Sequence, residues 1–141
     1  MKLKVGDPQD FSSFMGAVID RSSFDKIKGY IDHASGSEDA QVLTGGYDDS
    51  KGYFIKPTVI LAKKADYVSM REEIFGPVLT VYVYQDQELD QALDLCDKST
   101  PYALTGAIFA RDRQALIKME EALSQAAGNF YLNDKPTGAV V

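Results

Sequence analysis

The chain has no tryptophan, one cysteine and one histidine in 141 residues. A lone thiol excludes an internal disulfide framework and a thiolate metal cluster, and it fits a reducing compartment such as the cytosol or the mitochondrial matrix. A lone imidazole with no second histidine or cysteine leaves no zinc-type ligand set, and the acids lack the spacing of a calcium loop. Positive charge is also short: 15 Lys and Arg stand against 21 Asp and Glu, a formal net charge of -6. This balance gives no footprint for a polyanionic backbone, so no nucleic-acid partner is expected. No apolar run is long enough to cross a bilayer, and Met1 to Pro8 lack the apolar stretch of a signal peptide, so no membrane partner is expected either. Neither the glycine fingerprint of dinucleotide sites nor a P-loop occurs, so the phosphates of any bound nucleotide would be held by other residues.

What is present is enough apolar material, 45% of residues, for the core of one ordinary domain, with no internal repeat and no composition shift to mark a second. Ser22 with Asp25 resembles a capping box, and Phe24, Ile27, Ile31 and Ala34 repeat at helical spacing, with Gly36 marking the exit. Val42 and Leu43 predict a short strand, Gly45 and Gly46 a turn after it, and residues 47–52 a polar loop. The stretch from Tyr53 to Leu61 predicts a strand that Pro57 makes irregular or confines to an edge, and Val78 to Tyr84 a buried strand.

Asp86 is placed to cap a helix carrying Leu89, Leu93 and Cys96 on one face. After Pro101, Leu104 to Ala110 predicts a strand. Asp112 then caps a helix with Leu116, Met119, Leu123 and Ala126 inward, ending near Gly128, and Phe130 to Asn133 begins a last strand. Strands separated by single helices are the pattern of βαβ units, so the fold class is α/β, a parallel open sheet with flanking helices. The apolar end, Ala139 to Val141, has no polar cap and reads as an interior stretch of a longer chain.

Among chemistry-bearing residues, Cys96 falls on the core face of its helix, where a thiol packs as a small hydrophobe with a raised pKa rather than serving as a nucleophile. His33 lies beside the apolar stripe of its helix and reads as a solvated surface residue. The segment Arg71-Glu72-Glu73-Ile74-Phe75-Gly76-Pro77-Val78 sets two acids and an aromatic before a Gly-Pro break at a strand start, a place where open α/β sheets bind ligands. Spacing alone reads it as a charged turn followed by a core Phe.

The same residues resemble a known motif. Glu72 to Pro77 is similar to the Glu-Glu-Ile-Phe-Gly-Pro motif of the aldehyde dehydrogenase superfamily. Gly52-Tyr53-Phe54 with Pro57-Thr58, and Tyr102 to Phe109, resemble two further segments of that family, with Ala103 where a Gly is usual. Val5-Gly6-Asp7-Pro8, Ala17-Val18-Ile19-Asp20 and above all Ala127 to Lys135 with Thr137-Gly138 resemble its glutamate-semialdehyde (pyrroline-5-carboxylate) branch, and Pro136 departs from the Ser of close relatives.

The resemblance covers the whole chain and implies part of a catalytic domain. It implies NAD as cofactor and oxidation of L-glutamate 5-semialdehyde to L-glutamate, the second step of proline breakdown. In the family a cysteine thiolate attacks the aldehyde, hydride passes to NAD, and a glutamate-activated water releases the acid. The nucleophile and that general base are expected before this stretch and a substrate loop after it, so no catalytic residue is assigned here. Two cofactor-binding residues carry over. Glu73 matches the acid that accepts hydrogen bonds from the nicotinamide ribose, and Phe75 the aromatic packed near that ribose. Glu72 is left as a surface acid and Asn133 as structural. The resemblance further implies a small-molecule substrate, a homo-oligomer and the mitochondrial matrix. The competing expectation is an α/β binding module or pseudoenzyme without turnover.

Overall fold

The computed structural model describes residues 3–136. They form two compact units that divide between Val83 and Tyr84, a division that no shift in composition announced.

The first unit is built around helix α1, Arg21–Ser35, and a three-stranded sheet of β1 (Ala40–Asp48), β2 (Phe54–Ala62) and β3 (Val78–Tyr82), ordered β1-β2-β3. Phe24, Ile27, Ile31 and Ala34 of α1 are all buried, so the helical stripe does what its spacing predicts. Phe24, Ile27 and Ile31 pack with Ile55 and Ile74; Ala34 packs with Ala40, Ile60, Ala62 and Tyr67. Burial of each such Phe or Ile contributes about 1.5–3 kcal/mol. The cap differs from expectation. Asp20 is the N-cap, its carboxylate accepting from the Ser23 N–H at 2.7 Å, while Ser22 lies inside the first turn. Gly36 ends the helix, its N–H bonding back to the Asp32 carbonyl at 3.0 Å.

β2 and β3 are parallel, joined through the short helix α2 (Val68–Arg71), but β1 runs antiparallel to β2, since no crossover helix separates them. Gly45 and Gly46 do not end β1. They sit inside it at a bulge, with φ of +126° and +119° and register shifts on either side of Thr44. A Cβ on Gly45 would lie 2.6 Å from the Thr58 Cα, so backbone approach as well as φ requires glycine there. The Gly46 N–H bonds the Thr58 hydroxyl at 3.2 Å. Pro57 stands in the central strand, not an edge, and is tolerated because pairing to β1 is irregular around it and pairing to β3 begins only at Thr58.

The second unit pairs α3 (Leu89–Lys98), entered through a 3-10 turn at Asp86–Glu88, and α4 (Arg113–Leu123) with a two-stranded parallel sheet of β4 (Thr105–Ile108) and β5 (Asn129–Leu132). The capping box of the 3-10 turn starts at Gln85, one residue before the expected Asp86, and the Gln85 N–H bonds Glu88 Oε2 at 3.0 Å. Asp112 caps α4 as predicted, accepting from the Ala115 N–H at 2.7 Å. The helix stops at Leu123, short of Gly128, whose N–H instead meets the Ala103 carbonyl at 2.9 Å. Leu93, Ile108 and Leu123 form the core, flanked by Leu89, Leu116, Met119, Ala126 and Phe130.

Cys96 is not part of that core: it is exposed. It lies in the last turn of a ten-residue helix whose buried contact is Leu93, so helical spacing from Leu89 and Leu93 did not suffice to cover it. Partial desolvation, followed by the nearby Asp97 charge, still pushes its thiol pKa up. Asn133 extends the β4–β5 ladder with its side chain. Its Oδ1 accepts from the Ala110 N–H at 2.8 Å and its Nδ2 donates to the Ala110 carbonyl at 3.0 Å, while its own backbone sits at φ +54°. Thr137 and Gly138, which carry part of the family resemblance, lie outside the described residues.

Candidate cofactor site

The segment with two acids and an aromatic is the connection from α2 to β3, and each of its residues has a different anchorage. Glu72 leaves the helix in extended conformation, its N–H still bonded to the Val68 carbonyl at 3.0 Å. Its carboxylate accepts a hydrogen bond from the Tyr30 phenol of α1, so this surface acid is tethered. Ile74 is buried among Phe24, Ile27, Ile31 and Ile55. Gly76 rests on α1, where an added Cβ would lie 2.5 Å from Ile27 Cδ1. Past Gly76, the Val78 N–H bonds the Gly76 carbonyl at 2.7 Å, and the Thr58 N–H bonds the Pro77 carbonyl at 2.8 Å, fastening the exit to β2.

With Ile74 turned inward, its neighbours Glu73 and Phe75 are exposed. The Glu73 carbonyl accepts from Lys26 Nζ at 2.9 Å, which leaves the carboxylate at the surface. Phe75 is 83% exposed and adopts φ +62°, a left-handed backbone that costs a bulky residue about 1–3 kcal/mol. The core placement that spacing suggested for this ring is therefore wrong. A large apolar side chain held in solvent on a strained backbone is a feature to be explained by what it meets.

The arrangement thus presents an acceptor-only group with two oxygens and an aromatic face two residues apart on a pinned loop. A ligand with vicinal hydroxyls and a flat or apolar moiety suits both. Lys26 is one of two loop anchors, with Tyr30, that sequence spacing does not reveal. It stands one position before the buried Ile27, and only the packing of α1 on the loop brings its ammonium to the Glu73 carbonyl, 47 residues away. Lys26 and Tyr30 also line a shallow groove with Gly29, His33 and Val68. His33 is exposed, as expected, though its Nδ1 lies 2.8 Å from the Tyr67 hydroxyl.

Comparison with known proteins decides the lineage. The sequence model of the aldehyde dehydrogenase family matches residues 1–141. The chain belongs to the aldehyde dehydrogenase family. Within it, this aldehyde dehydrogenase chain is 55% identical over 140 residues to the mitochondrial delta-1-pyrroline-5-carboxylate dehydrogenase of Dictyostelium discoideum, covering 99% of the chain and 25% of that protein. It is 48% identical over 142 residues to the human mitochondrial protein of that name, again covering 99% of the chain and 25% of the relative. The crystal structure of the Mycobacterium tuberculosis delta-pyrroline-5-carboxylate dehydrogenase bound with NAD superposes with a TM-score of 0.87 at 48% identity, over 99% of the chain and 25% of that structure. The chain therefore spans about a quarter of the length of the curated relatives it matches. The α/β class expected from the strand and helix pattern agrees with these relatives.

Proposed function

We propose that this aldehyde dehydrogenase chain is a catalytic-domain segment of a polypeptide that oxidises L-glutamate 5-semialdehyde, the open form of pyrroline-5-carboxylate, to L-glutamate in proline catabolism. The observation that carries the reading is the loop of residues 72–77, which exposes Glu73 and Phe75 together on a strained, multiply anchored backbone in a chain about half identical to dehydrogenases of that substrate. In this reading NAD accepts the hydride. Glu73 receives the two ribose hydroxyls on its carboxylate oxygens, and Phe75 packs its ring against the same part of the cofactor. Both orient the cofactor; neither moves a proton. The nucleophilic cysteine lies in another part of the polypeptide, in keeping with the raised pKa of Cys96 and its place on a helix of the second unit.

Large exposed apolar side chains support the segment reading. Phe11, Ile19 and Leu104 are each more than 70% exposed, a pattern suited to burial against further chain rather than to a free monomer surface. The mitochondrial matrix is proposed from the naming of the relatives as mitochondrial, and a homo-oligomer from family resemblance. The isolated 141-residue chain is proposed to be inactive.

The test is NADH formation by the full-length polypeptide. Glutamate semialdehyde is expected to be oxidised at a kcat/KM at least about tenfold above that for unsubstituted aliphatic aldehydes, since a site built to pair a polar group penalises analogues lacking it. Equal rates would reject the substrate assignment, and absence of NADH from every aldehyde would favour the binding-module alternative.

A further inference from the structure

The face of α1 that meets the cofactor loop does so through three neighbouring residues. Ile27 packs under Gly76, Lys26 bonds the Glu73 carbonyl, and Tyr30, one turn further, donates its phenol to the Glu72 carboxylate. Lys26 and Tyr30 are four apart and so lie on one helix face. Their two hydrogen bonds grip consecutive residues of the loop immediately before the buried Ile74. The loop's other end is tied to β2 through Pro77. Between these ties lies Phe75, the residue in the left-handed region. A strained conformation persists only when its surroundings over-determine it, and the α1 contacts are the restraints on the Glu73 side.

We propose that Tyr30 and Glu72 are a positioning pair that sets the direction of the Glu73 carboxylate, so that the first acid of the motif serves cofactor binding without touching cofactor. This rests on the ribose contact proposed for Glu73. A phenol-to-carboxylate hydrogen bond is charge-assisted and stronger than a neutral one, and it fixes the residue next to the binding acid. Tyr30 is half-buried against the core cluster, so removal of its hydroxyl alone leaves its ring packing in place.

The experiment measures KM for NAD, KM for the aldehyde and the thermal midpoint in the full-length polypeptide. The variants are Tyr30→Phe, Glu72→Ala, Glu72→Gln, the Tyr30→Phe/Glu72→Ala double variant and, as reference, Glu73→Ala. Tyr30→Phe and Glu72→Ala should each raise the NAD KM about threefold to tenfold, as expected for one hydrogen bond's net contribution, with the double variant no worse than either. Glu72→Gln, whose amide oxygen still accepts but without the charge, should fall between wild type and Glu72→Ala. The aldehyde KM and thermal midpoint should not move. An unchanged NAD KM in Tyr30→Phe and Glu72→Ala, with a raised one in Glu73→Ala, would overturn the positioning pair and leave the ribose contact standing. An unchanged NAD KM in Glu73→Ala would overturn the ribose contact, and the positioning pair falls with it. Additive losses accompanied by a lower thermal midpoint would assign Tyr30 and Glu72 to general stability instead.

Discussion

Phe75 shows what a single residue adds to a motif. Its φ of +62° and its exposed ring mean that the chain bears a backbone cost at this position with no burial to offset it locally. Removal of the ring by Phe75→Ala keeps the strain, whereas Phe75→Gly relieves it. The glycine variant should therefore be the more stable of the two by about 1 kcal/mol in urea unfolding. Equal stabilities, or the reverse order, would mean that the left-handed geometry is not maintained. Cys96 makes a second prediction at this scale. Desolvation and Asp97 raise its pKa, so the thiol form persists to higher pH than in a free cysteine. Alkylation by iodoacetamide should reach half its maximal rate at a pH above the value for a free-cysteine peptide in the same buffer. A midpoint at or below that value would contradict the assignment and reopen Cys96 as a reactive thiol. Sequence spacing found the raised pKa of Cys96 but not its exposure, because helical periodicity says which residues share a face and not how far the covering element reaches.

At the scale of elements, helices were more legible than strands. The α1 stripe and the Asp112 cap come directly from periodicity and cap chemistry, whereas the α1 start was placed at Ser22 when Asp20 holds it. Both residues are good caps, and the choice is made by the geometry that aims the Asp20 carboxylate at the Ser23 N–H. Asp20→Ala should thus cost about 1 kcal/mol of stability, while Ser22→Ala should cost almost nothing, as read by thermal or urea denaturation. Comparable losses would return the cap to Ser22. Strands were misread where glycine served a bulge: Gly45 and Gly46 look like a turn in sequence because their tolerance of positive φ is the same in both settings. The antiparallel pairing of β1 follows from the absence of a helix between β1 and β2. The loop is legible as a motif, yet its anchorage by Lys26 and Tyr30 depends on contacts 47 and 42 residues apart, respectively, that no local pattern encodes.

At the scale of the whole molecule, the described residues form two units, each with its own apolar cluster, and neither holds a nucleophile assigned to the chemistry. The pinned loop, proposed to meet the cofactor through Glu73 and Phe75, would supply only part of such a site. Because association costs several kcal/mol of lost freedom, the isolated 141-residue chain should show no NADH formation and no micromolar affinity for NAD; calorimetric binding in that range would contradict the segment reading. The central claim, that Glu73 binds the cofactor ribose, is tested most directly by calorimetric titration of NAD into the full-length polypeptide with and without Glu73→Ala. Loss of a carboxylate that accepts two hydroxyl hydrogen bonds should weaken Kd by about tenfold or more, and an unchanged Kd would contradict the claim.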